Sequence, residues 1–220
     1  MLPQIACEVD WAATASVVRD VIVSIATMFT AFVAYKGISK WRSEESGKAD
    51  FELSRRIGKV IFRMRDVLKN ARAPFVIASE FPDGYDPLFA TASQKASAWA
   101  HVFNERWKPV RDCAIEIQTL RNEAEALWGN PIIPILDRLL GLVNTFRVAI
   151  GAHISNEHAG GQHFGKNPEF GKRINTQLFD MGNEITAVGT EGAPNAFTTD
   201  LEMAVADAAT YLRTKLPQPA

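Results

Sequence analysis

Cysteine is nearly absent from this chain. Cys7 and Cys113 lie far apart in unlike contexts, so they form neither a disulfide framework nor a metal motif, and a reduced cytoplasmic domain fits them best. Also missing are G-x-S-x-G, HExxH, paired CxxC and the dinucleotide fingerprint, the short motifs that announce several large enzyme classes. No stretch alternates apolar and polar residues as a half-buried strand does, and no internal repeat is visible. What remains is an all-α chain that calls for no cofactor. The missing motifs lower the weight of an enzyme without excluding one, because catalytic groups can converge from distant positions.

A large charge of either sign is missing too. The net charge is −1, and 47% hydrophobic with 22% charged residues is the composition of a folded protein. The balance is uneven, however: residues 36–72 carry eleven Lys/Arg against five Asp/Glu, so the basic block needs a local reason. Nucleic acid is not expected as that reason, since no aromatic platform is interleaved with the cations and no recognition motif appears.

Long apolar runs are scarce, and one stands out. Val21 to Tyr35 holds fifteen residues without a charge. As a helix this run rises only about 22 Å at roughly 1.5 Å per residue, short of a hydrocarbon layer near 30 Å. The preceding "WAATASVV" (11–18) continues the apolar register, and Arg19-Asp20 can snorkel toward headgroups, so a span over residues 16–36 is expected. Lys36, Lys40 and Arg42 crowd its C-terminal end while the N-terminal end is acidic, which places residues 1–15 outside and the remainder in the cytoplasm. Trp11 at one boundary, with Tyr35 and Trp41 at the other, are candidate interfacial anchors. The acidic N-terminus argues against a cleaved signal peptide. The competing readings are a buried helix of a soluble oligomer and a helix lying in the interface.

The wheel divides this segment. Val18, Ile22, Ile25, Phe29 and Phe32 share one face; Ala13, Ser16, Asp20, Ser24, Thr27, Ala31 and Ala34 share the opposite one. In lipid the drive between helices comes from close packing of small residues and polar contacts. Asp20, Ser24, Thr27, Ala31 and Ala34 are therefore expected to form a helix-packing seam, most simply in a homo-oligomer, with lone snorkelling by Asp20 as the plainer alternative.

Residues 37–50 read as a juxtamembrane linker, and 51–216 as a cytoplasmic antiparallel helical bundle. Phe51 to Ala71 is amphipathic, with Ile57, Val60, Ile61, Met64, Leu68 and Ala71 at helical spacing and Arg55, Arg56, Lys59 and Arg63 on other faces. Those cations face either anionic headgroups or, as the favoured reading, solvent and intramolecular carboxylates. Residues 76–92 read as a loop. From Ser93 to Trp128 a helix is expected, kinked at Pro109, with Trp99, Val102, Phe103, Val110, Ala114, Ile117, Ala124 and Leu127 buried. Residues 131–154 are apolar almost all round and mark a central helix. A Gly-rich loop over 159–195 and a last helix capped by Thr199 or Asp200 complete the chain.

Two weak chemical signals are present. "GGQHFGKN" (160–167) matches G-x-x-x-x-G-K but ends in Asn and follows a helix, so a flexible loop accounts for it better than a phosphate site. His153, Glu157, His158 and His163 cluster, yet HxxxE without a third fixed ligand is a poor metal signal, so no metal is expected.

The succession of a lone N-terminal span, "YKGISKWRSE", "ELSRRIGKVIFRMRDVLKNARAPF" with its nearby "EFP", "ALWGN" and the closing "AATYLRTKL" resembles uncharacterised bacterial single-pass membrane proteins with a cytoplasmic helical domain. The likeness covers most of the chain apart from 159–195. It implies a bacterial inner-membrane location and this architecture, and carries over no catalytic residue. Together these readings point to an interaction, scaffold or sensor module whose partners are membrane lipid and either a second copy or another protein. The alternatives are a membrane-tethered enzyme and a soluble oligomeric bundle.

Overall fold

The computed structural model describes residues 11–181 and 195–216. Among these residues the chain is helical with no strand, and it divides into two units, Met1–Ala49 and Asp50–Ala220. Helix α1 (Trp11–Ala71) supplies the helix of the first unit and the opening helix of the second. Residues 37–50, expected as a linker, are thus helical. The segment contains no proline, Lys40–Glu44 and Glu45–Lys48 pair across one turn, and a helix already formed on both sides propagates through Gly37 and Gly47 at a cost of about 1 kcal/mol each.

In the second unit, α2 (Ala92–Trp128), α3 (Ile133–His158) and α6 (Ala196–Arg213) join the C-terminal part of α1. The pairings fix the directions. Arg56 meets Glu123 and Arg63 meets Glu116, so α1 and α2 run antiparallel. Arg121 meets Asp137 while Phe103 meets His153, which makes α2 and α3 antiparallel as well. Lys69 pairs with Glu202 and Gly58 lies against Leu212, giving the same relation for α1 and α6. Helix α3 packs against α2, α6 and the shorter α4 (Gln162–Lys166) and α5 (Pro168–Leu178), as its apolar sequence predicts for a central helix.

The expected stripe of α1 is buried throughout: Ile57, Val60, Ile61, Met64, Leu68 and Ala71 all face the core. On α2, Val102, Phe103, Val110, Ile117 and Ala124 are buried and Trp99 and Ala114 half-buried, but Leu127 is 53% exposed because the packed line at this end runs through Leu120, Ala124 and Trp128; Cys113 and Leu120 take core places instead. Helix α2 runs through Pro109 as one element. Thr91 caps it, accepting from the Gln94 amide while the Gln94 side chain accepts from the Thr91 amide. Gly129, at φ +69°, ends it in a conformation that favours glycine.

The Gly-rich stretch is corrected in two places. Residues 162–166 and 168–178 form α4 and α5, and 182–194 lie outside the described residues. The turn before α4 uses Gly160 and Gly161 at positive φ, and the Asn156 side chain accepts from the Phe164 amide. Gly171 lets the two helices close, since a Cβ there would meet Phe164 at 2.9 Å. The cap of α6 is Asn195, not Thr199 or Asp200: its side-chain oxygen accepts from the Phe197 and Thr198 amides.

Arg72 explains why that cap sits there. Fully buried at the end of α1, it donates from Nε to the Gln177 carbonyl (2.9 Å), from Nη1 to Thr198 Oγ1 (2.9 Å), and from Nη2 to the Thr176 carbonyl (3.0 Å) and Asn195 Oδ1 (3.2 Å). The Phe197 ring lies 4.1 Å from the guanidinium, and the Arg72 carbonyl accepts from the Asp180 amide. Burial pushes its pKa down to about 10, against the pull of Asp180, so it stays charged. A planar fork with five N–H donors fits this set, which a lysine cannot span. Arg72→Ala should cost about 3–5 kcal/mol by stranding buried carbonyls, and Arg72→Lys roughly half that. Urea unfolding of the full chain in neutral detergent measures both, and a loss under about 1 kcal/mol for the alanine variant contradicts this account.

Candidate functional site

In the first unit, the described side chains from Arg19 to Arg42 are exposed. Helix α1 contains an 18-residue apolar window, beginning near Arg19, of which none is buried; it is the one helix among the described residues long and apolar enough to cross a membrane. Phe29, Phe32, Ile22, Ile25 and Met28 each expose more than half their surface. At about 100° per residue, its large apolar groups other than Val23 fall within roughly 160° of the circumference.

The polar groups in this segment are satisfied within it. Ser24 donates to the Asp20 carbonyl (2.7 Å), Thr27 to that of Val23 (2.8 Å) and Thr30 to that of Ala26 (2.9 Å). Asp20 is paired with Arg19 at 3.1 Å. The residues expected to form a seam, Asp20, Ser24, Thr27, Ala31 and Ala34, line one side of the helix, and the Ser24 and Thr27 hydroxyl hydrogens are used within it.

At the C-terminal boundary Tyr35 is 74% and Trp41 63% exposed. Lys36 lies over the Phe32 ring and Lys40 pairs with Glu44, while Arg42 has no ion-pair partner among the described residues. Trp11 opens α1, but its side chain lies outside what is described. Farther along, three cations of the basic face pair with carboxylates, Arg55 with Glu52, Arg56 with Glu123 and Arg63 with Glu116, as does Lys69 with Glu202.

The histidine cluster of the second unit is not brought together. His153 turns into a box made by Trp99, Phe103 and Phe179, with ring centroids at 5.0, 5.8 and 6.0 Å, whereas His158 and His163 are not drawn in with it. Among the described residues no group of three metal-ligating side chains occurs. The 160–167 match to a phosphate loop is a turn and the short α4, not a flexible loop.

Two arginines escape sequence reasoning. Arg72 continues the register of Met64 and Leu68 one turn on, a signal that periodicity carries and a charged side chain masks. Arg106 clamps Glu80 at 2.6 Å and donates to the Ala73 (2.7 Å) and Phe75 (2.9 Å) carbonyls, fastening the α1–α2 connection. Only the fold reveals these partners.

Comparison of the chain with protein-family models, curated proteins and solved structures finds no match.

Burial pushes the His153 imidazole down to about 4, and neither ring nitrogen has a hydrogen-bond partner among the described residues. It therefore folds neutral, and between pH 6.5 and about 4 the unfolded chain binds the extra proton. Stability should fall on acidification through that window by on the order of 3 kcal/mol. His153→Leu should remove this part of the slope in urea midpoints measured from about pH 7 to 4. What persists belongs to carboxylates such as Glu80 and Asp137, whose pKa values are lowered by Arg106 and Arg121. An unchanged slope in the variant would mean His153 is not buried neutral.

Proposed function

We propose that this chain is a single-pass protein of the bacterial inner membrane whose cytoplasmic helical domain serves as an interaction, scaffold or sensor module, with the span itself mediating self-association. The observation that carries this reading is the wholly unburied apolar window of α1. Leaving its Val, Ile, Met and Phe side chains in water forfeits about 1.5–3 kcal/mol each. A helical partner covers a stripe of roughly 100°, narrower than an apolar surface of roughly 160° with Val23 outside it, whereas lipid covers all of it. Internally satisfied Ser24, Thr27 and Thr30 hydroxyls suit that solvent, where each unpaired polar group is expensive.

Orientation follows from the flanks. Lys36, Lys40 and Arg42 hold the C-terminal side in the cytoplasm, with Tyr35 and Trp41 in the interface and Trp11 as the outer anchor. Lys36 and Arg42, free of carboxylates among the described residues, supply about 1 kcal/mol each toward anionic headgroups. Self-association runs along Asp20, Ser24, Thr27, Ala31 and Ala34. Because the seam hydroxyls already donate within the helix, close packing of the small side chains along this face supplies the contact, with Asp20 turned toward its neighbour.

Membrane fractions washed with alkaline carbonate should retain the protein until detergent is added; release by carbonate alone would leave a soluble or peripheral helix. Single cysteines introduced from 20 to 34, with Cys7 and Cys113 replaced by Ala, should crosslink between copies best at 20, 24, 27 and 31 and worst at 22, 25 and 29. A flat profile removes the seam.

A further inference from the structure

The connection between α1 and α2 is held firmly, yet it presents apolar side chains to solvent. Arg106 clamps Glu80 and the Phe75 carbonyl, the Tyr85 amide donates to the Pro82 carbonyl (3.1 Å), and the Ala90 amide to that of Asp86 (3.0 Å). Despite these ties, Leu88 is 85% and Phe89 84% exposed. Beside them lies a cleft of about 440 Å³ whose walls include Asp83, Tyr85, Asp86, Phe89 and Gln94, with Gly84 at φ +76° making the bend. Tyr85 is fixed by stacking on Phe81 (4.9 Å), which in turn meets the edge of Trp99 (5.5 Å).

The charge of this cleft is one-sided. No Lys or Arg lines it, and neither Asp83 nor Asp86 has an ion-pair partner among the described residues. The Asp86 carboxylate accepts from the Leu88 amide, 2.9 Å away. Glu80, the neighbouring acid, is already committed to Arg106. Burial, followed by the Glu157 and Asp86 carboxylates, raises the pKa of the Tyr85 hydroxyl.

We infer that the cleft framed by residues 82–98 is a docking site for a segment of another protein in which Lys or Arg stands beside a large apolar residue. Asp83 and Asp86 complement the cation, and Tyr85 and Phe89 offer ring faces on which a guanidinium or ammonium is attracted. Leu88 and Phe89 require an apolar cover that a small cation cannot give, and covering such side chains is what anchors an interface. This surface lies wholly in the second unit and does not rest on the reading of the span.

The test is selection of a random dodecapeptide display library on the full-length chain in neutral detergent, with empty micelles subtracted. Selected peptides are then measured by fluorescence anisotropy against wild type, Asp83→Asn/Asp86→Asn and Leu88→Ser/Phe89→Ser. The expected result is enrichment of Arg or Lys next to Leu, Phe or Trp, with at least roughly tenfold weaker binding to both double variants, whose helical circular dichroism stays unchanged because the substituted side chains are exposed or line the open cleft. Enrichment of cation-free peptides, affinity unchanged in either double variant, or no retention above empty micelles would overturn the proposal.

Discussion

A single buried guanidinium sets the arrangement at one end of the helical domain. Arg72 closes α1 and reaches the C-terminal carbonyls of α5, the capping Asn195 and Thr198 of α6. Carbonyls at a helix C-terminus have no partner within the helix and carry partial negative charge, so a cation there meets two needs together. Asn195 reinforces the same junction, since its amide donates to the Thr176 and Phe179 carbonyls while its oxygen caps α6. Without that charge the end of α5 and the start of α6 lose a common reference point. At the opposite end, Trp128 donates to Asp50 at 2.8 Å and stands against Tyr211, closing the domain with weaker, more exposed contacts.

The first unit obeys a different constraint, because its apolar groups have no interior of their own. A helix packed on a protein core confines large apolar residues to one stripe, as α2 does with Val102, Val110, Ile117 and Ala124. Helix α1 changes character along its length, from apolar on most sides over 21–35 to amphipathic beyond Leu53. That change separates a segment whose apolar side chains stand unburied from one whose apolar side chains form a protein core.

Buried polar groups are also distributed unequally. Arg72 is richly paired, whereas His153 sits among three rings with both nitrogens unpaired, and Ser54 Oγ likewise lacks a partner among the described residues. Each such orphan costs about 1–3 kcal/mol relative to a satisfied group. The aromatic cluster from Phe81 through Trp99 to His153 and Phe179 offsets this with ring contacts that tie the α1–α2 connection to α3.

Much of the helical content was legible in the sequence, since periodicity is a local property. Ile57, Met64, Phe103 and Ile117 fall in the core where spacing puts them, and the apolar run of α1 stands exposed where hydropathy isolates it. Glycine content misled at 159–178, because Gly160 and Gly161 form a turn and Gly171 admits Phe164, uses that composition alone reads as looseness. Leu127 misled in the other direction, since the packed line at that end of α2 runs through Leu120, Ala124 and Trp128 and leaves Leu127 beside it. What the tertiary structure alone decided is which polar groups meet. Arg72 and its acceptors are separated by more than a hundred residues, and the cleft beside Leu88 depends on where Arg106 fastens the chain. Local periodicity chooses the face of a helix; only packing chooses what that face touches.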